Sequence, residues 1–144
     1  MIVTFDSSIL VHATKRSEGP ARRLIDIIAA HPDHTIALSR FILGEVGKVL
    51  SYPRMQELFG LSGNEIFEHL NFLRSICRIV EPRIGLPVVL LDPNDDVVLY
   101  TAVAAGADVL CVRDRHFFDR HVVTLCAREN IRVMNELELL AMLG

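Results

Sequence analysis

The chain has no tryptophan and only three cysteines in 144 residues. Cys77, Cys111 and Cys126 are an odd number, well separated, with no CxxC pair among them. A disulfide framework and a structural zinc site are therefore disfavoured, and a reducing, cytoplasmic setting is expected. The six histidines include His31 with His34 and His116 with His121, but neither pair has a Cys or Glu completing a zinc signature. A strong charge of one sign is missing too, since fifteen basic residues against eighteen acidic ones leave a net charge of −3. That argues against a protein that coats nucleic acid, which is usually strongly basic. It leaves room for an enzyme that acts on nucleic acid at one local site.

Long apolar runs are also lacking. Mean hydropathy is high at +0.35, yet the longest nearly apolar stretch, Val97 to Ala107, is about half the ~20 residues of a membrane span. The opening MIVTFD reaches an acid at position 6 with no basic region before it, so no signal peptide is expected. No repeat, linker or low-complexity segment appears. What remains is a chain that is 51% hydrophobic and 23% charged, a balance that excludes intrinsic disorder and fits one domain over residues 1–144.

The pattern alternates strands with helices. Met1 to Phe5 reads as a first strand, and Ser17 with Pro20 opens a helix to about Ala30. After the loop 31–34, Thr35 to Leu38 is a second strand. Ser39 caps a helix to about Ser51 that Pro53 terminates. Ser62 begins another helix with Ile66, Leu70, Leu73 and Cys77 near one face. Ile79-Val80 and Val88 to Leu91 are short extended candidates. Asp92-Pro93-Asn94-Asp95 is a helix start, with Asp92 at the cap and Pro93 at the first helical position. That helix stops at Gly106. Val109 to Val112 is a buried strand, a helix covers about 119–129, and Ile131 to Met134 is a further strand. Asn135 with Glu138 forms a capping box for the last helix. The fold class is α/β, with a mainly parallel central sheet flanked by helices.

Ligands in such sheets bind beyond the carboxyl ends of the strands. Asp6 directly follows the first strand, and Asp114 stands two residues after Val112. Taken singly, each is explained as well by capping or turning the chain. Glu45 follows Phe41 and Ile42 by four and three residues and precedes Val49 by four, which places it within an apolar stripe. A buried carboxylate costs several kcal/mol (an order of magnitude) unless it is paired or binds a cation. Asp96 repeats the pattern with Leu99, Tyr100 and Val103 around it. Asp92 and Asp95 are accounted for as cap and first-turn partners of the helix dipole, a role open to Asp96 as well. Convergence of Asp6, Glu45, Asp96 and Asp114 would form an all-oxygen site for Mg2+ or Mn2+.

On these residues the chain resembles the PIN-domain family, in particular the PIN toxins of bacterial toxin–antitoxin pairs. The resemblance runs from IVTFDSSIL through SRFILGEVGKVLSYPRM and LDPNDDVVLYTAVAAGADVLCVRDRHFF to the last strand and helix. It implies a single PIN-like domain and a metal-dependent ribonuclease, with Asp6, Glu45, Asp96 and Asp114 as catalytic and metal-binding residues. An RNA substrate, a protein antitoxin, a homodimer and no membrane association are implied with it. The chain departs from the family pattern where Ser8 replaces an Asn, Val112 a Thr or Ser, Arg113 a Gly and His116 an Asp. Ser8, Arg113 and His116 thereby become candidate substrate or secondary contacts. The departures also leave open a catalytically degenerate PIN domain that binds RNA or protein without cutting. A phosphatase with an aspartyl nucleophile is disfavoured, because Ser8 stands where that chemistry wants a second Asp.

Overall fold

The computed structural model describes residues 1–86 and 93–144. The expected extended segment Val88 to Leu91 and the cap at Asp92 lie outside the described residues. Strands β1 (Ile2–Phe5), β2 (Thr35–Leu38), β3 (Cys77–Ile79), β4 (Val109–Cys111) and β5 (Arg132–Met134) form one parallel sheet in the order β3-β2-β1-β4-β5. Around it, among the described residues, lie helices α1 (Ser7–Leu10), α2 (Pro20–Ala30), α3 (Arg40–Leu50), α4 (Pro53–Phe59), α5 (Gly63–Ile76), α6 (Pro93–Ala105), α7 (Arg120–Arg128) and α8 (Glu136–Leu143). The chain is thus the α/β parallel-sheet domain that its alternating pattern predicts.

Burial follows strand order. Val3, Thr4 and Phe5 of the central strand β1 are fully buried, and so is nearly all of β4. The edge strands β3 and β5 keep exposed residues. A strand covered by helices on both faces must be apolar throughout. Thr4, the polar exception in β1, donates its hydroxyl to the Ala37 carbonyl at 2.9 Å. The chain winds outward from β1 through β2 to β3, then returns to place β4 on the other side of β1. That reversal opens a crevice at the carboxyl ends of β1 and β4.

Three local features depart from the sequence expectations. Pro53 does not simply end a helix: α3 stops at Leu50 and Pro53 opens α4. Its missing N–H is unused in a first turn. Cys77 leaves the helical face predicted for it, turns extended, and pairs with Ile36 at the start of β3. Bonding to the sheet edge wins there over the helical period. Helix α1 and the 3-10 turn Arg115–Phe118 are too short to leave a periodic signal.

Two buried polar contacts lock the helices that carry the carboxylates. Ser39 caps α3 by accepting from the Ile42 amide at 3.3 Å, and its hydroxyl donates to the Thr101 hydroxyl oxygen of α6 at 3.0 Å, since Thr101 gives its own proton to the Val97 carbonyl. His69 of α5 is bonded to the Leu10 carbonyl at 2.9 Å. A carbonyl only accepts, so Nε2 carries the proton. Burial lowers the pKa of His69, which keeps the ring neutral. Ser39→Ala removes the cap while Thr101 keeps its bond to the Val97 carbonyl. We expect it to lose about 1–2 kcal/mol of stability, read as a lower urea midpoint at unchanged slope. A midpoint equal to wild type would show that the cap contributes nothing.

Candidate functional site

The carboxyl ends of β1 and β4 each deliver an aspartate at once. Asp6 follows Phe5, receives its backbone bond from β4 (its N–H donates to the Cys111 carbonyl at 3.0 Å), and caps α1. Its Oδ1 accepts from the Ser7 amide at 2.8 Å and its Oδ2 from the Ser8 hydroxyl at 2.7 Å. Capping and burial coincide here, since Asp6 is only 6% exposed. Desolvation pushes its pKa up against the pull of the Ser8 and Ser7 hydrogen bonds, and the charge of Asp114 raises it further. Asp114 is itself exposed and caps the turn Arg115–Phe118, accepting from the His116 amide at 3.0 Å. The His116 Nδ1 lies 3.2 Å from the same oxygen of Asp114.

The N-terminus of α6 meets this pair. Asp95, Asp114 and His116 each offer a ligand atom, and these atoms lie within 4.8 Å of one another. Asp6 is coupled to the group through Asp114. The structure therefore brings together two of the acids singled out in the sequence, Asp6 and Asp114, with His116. The acid that α6 contributes to the ligand-distance group is Asp95, which capping had seemed to account for, rather than its neighbour Asp96. Asp96 is 5% exposed, as the spacing predicts. Its charge bears on Tyr100, whose hydroxyl pKa is raised first by burial and then by Asp96. Glu45 is half-buried on α3, beside Ile42 and Val46, which carry the buried face. It stands at the edge of the apolar stripe rather than inside it.

A second polar group, unread in the sequence, adjoins the first. The Arg113 Nε donates to Oε1 of Glu136 at 2.6 Å, and Glu136 is almost fully buried at the start of α8. Both charges reach Cys111 and the half-buried His12. Burial, then Arg113, lowers the His12 pKa, with Glu136 opposing. Chemically, three carboxylates and an imidazole at a strand-end crevice form a donor set fit for a divalent cation of the Mg2+ or Mn2+ kind. The raised pKa of Asp6 reports first its burial and only then the charge of Asp114, and a cation bound there would offset both.

The comparisons agree with this architecture. The family model described as PIN domain matches residues 2–116. No curated protein sequence matches the chain. Among solved structures, a chain of the crystal structure of VapBC2 from Rickettsia felis, bound to a DNA fragment from their promoter, superposes with a TM-score of 0.58. That similarity covers 94% of this chain and 98% of the other at 17% identity, and so bears on the fold.

The buried acid generates a pH prediction for the cation-free chain. With the folded-state pKa of Asp6 raised above the ordinary 3.8, the folded state keeps its proton longer than the unfolded state as pH rises. Stability is therefore lost as pH climbs from below 3.8 through the raised value. Asp6→Asn should be more stable than wild type at pH 7 without divalent cations, and the difference should vanish near pH 3, roughly below both pKa values. Thermal unfolding at the two pH values checks it. A variant less stable at pH 7 would contradict the desolvation argument.

Proposed function

Because the chain belongs to the PIN-domain family, we propose that it is a metal-dependent endoribonuclease, the toxin component of a toxin–antitoxin pair. The observation that carries this reading is the gathering of Asp95, Asp114 and His116 within 4.8 Å beside the buried Asp6. When bound there, a divalent cation would supply an acidified water and offset phosphate charge.

The protein's own residues have separable tasks in this proposal. Asp6, Asp95 and Asp114 hold the cation, with His116 as the nitrogen donor that shifts preference from Mg2+ towards Mn2+. Ser8 fixes the Asp6 carboxylate through its 2.7 Å hydrogen bond. Glu45, half-buried on α3, is assigned as a further acid of the site. Asp96 is assigned a positioning role at the first turn of α6, next to the ligand Asp95. Arg113, anchored through Nε by Glu136, directs its remaining guanidinium donors to a substrate phosphate.

A protein antitoxin and a homodimer belong to the same proposal. The VapBC2 assembly supports it through its fold, and the exposed Leu58 and Phe67, 65% and 61% accessible, support it as surface available for association. Cytoplasmic location is supported by three free cysteines and by the lack of a described helix long and apolar enough to cross a membrane.

Cleavage of single-stranded RNA with added Mn2+, Mg2+ or chelator tests the reading. Mn2+ should give the faster reaction, and Asp114→Asn should lower the rate by at least ~100-fold, since even outer-sphere partners of a metal can cost that much. His116→Asp should raise Mg2+-dependent cleavage, because an all-oxygen set suits Mg2+. RNA binding with no cleavage under any metal would instead favour the degenerate, non-cutting PIN domain, for which the substitutions at Ser8, Val112 and His116 speak.

A further inference from the structure

The 3-10 turn Arg115–Phe118 carries more than the donor atom of His116. A helix of this kind has three residues per turn, so it presents three faces and residues three apart eclipse. Phe117 is fully buried and takes the face turned to the core. His116 is half-buried and takes the face turned to the acids, its Nδ1 3.2 Å from Oδ1 of Asp114. Arg115 and Phe118 share the third face, and both are exposed, Phe118 by 40%.

This outer face is chemically unengaged. Among the described residues, the Phe118 ring has no aromatic or cationic partner. The side chains of Arg115 and of Arg120, two residues beyond the ring, make no ion pair with the described residues. Asp119 stands between the ring and Arg120, but its Oδ1 is taken up in capping α7, accepting from the Arg120 amide at 2.9 Å. A bare ring flanked in sequence by two unpaired guanidiniums therefore adjoins the group of Asp95, Asp114 and His116. An apolar side chain of a partner protein would cover the ring and leave both guanidiniums without an anion. A nucleotide answers both at once, with a flat base and a phosphate.

We infer that Phe118 is a stacking platform for the RNA base next to the nucleotide at the carboxylates, with Arg115 contacting that strand's phosphate. Unpaired RNA bases are commonly stacked on aromatic side chains, and a basic groove with an aromatic ring holds single strands with little sequence preference. The spacing suits one strand. From His116 to Phe118 the turn rises about 4 Å, close to the roughly 3.4 Å between successive steps along one stacked strand. The identification of RNA as ligand rests on the function proposed above.

The chain has no tryptophan, so Phe118→Trp introduces a single fluorescent ring that keeps the stacking face. A short single-stranded RNA, titrated in chelator so that binding is read without cleavage, should quench that fluorescence. A sugar–phosphate strand of equal length without bases should leave it unmoved. Phe118→Ala should weaken RNA binding about tenfold, within the range for base–aromatic stacking, and leave binding of the baseless strand unchanged. Arg115→Ala should weaken both strands severalfold and lower the salt slope by about one phosphate contact. An unmoved Phe118→Trp signal at saturating RNA would overturn the platform. So would unchanged RNA affinity in Phe118→Ala, or equal losses for both strands in that variant. An emission shift that grows with protein concentration before RNA is added would assign the face to contact between copies, and overturn it too. Quenching by RNA in a chain that never cuts it would keep the platform and lose the nuclease; cleavage with an unmoved signal would do the reverse.

Discussion

A carboxylate at the end of a strand covered on both faces cannot keep its shell of water, and Asp6 occupies that position. The burial of β1 is what allows the sheet to form, because Val3 and Phe5, on one face of the strand, are fully buried in the core, and Thr4 on the other face is buried as well. The same burial strips Asp6 of solvent and leaves it facing Asp114 across the β1–β4 junction. Two hydrogen bonds, from Ser7 and Ser8, offset part of that cost. The rest makes the crevice receptive to positive charge.

This constraint orders the surrounding structure. The topological reversal after β3 puts β4 beside β1, so that Asp114 arrives without any long excursion of the chain. The Ser39–Thr101 contact fixes α6 against the β2–α3 corner, and that fixes the first turn of α6, where Asp95 and Asp96 sit. Arg113 sets a positive charge next to the acids while its own partner, Glu136, keeps it from collapsing onto Asp114. In this half-buried pair only one edge of the guanidinium is held, by Glu136, and the exposed side of Arg113 faces solvent.

Much of this was legible in the residues. The strand–helix alternation, the Ser39, Ser62 and Asn135 caps and the stop at Gly106, whose φ is +62°, follow from local rules. Asp6 and Asp114 were readable because strand ends are where such sheets bind ligands. The place of Asp95 in the group with Asp114 and His116 was not. Helix α6 is apolar on most faces, so the spacing that seats Asp96 beside Leu99 and Val103 seats Asp95 equally well beside Val98, Leu99 and Ala102. With no polar face to orient the helix, only packing against the sheet decides. Asp95 also satisfied a capping rule, which hid it. The Arg113–Glu136 pair joins residues 23 apart in sequence, and nothing local announces it.

The central claim is that these side chains hold a divalent cation through Asp95. Titrating Mn2+ into the chain by calorimetry, with Asp95→Asn and Asp96→Asn alongside, tests it directly. The account predicts one saturable Mn2+ site in wild type, its loss in Asp95→Asn, and near-wild-type affinity in Asp96→Asn. Loss of binding in Asp96→Asn with Asp95→Asn unaffected, or no saturable Mn2+ binding in wild type, would contradict it.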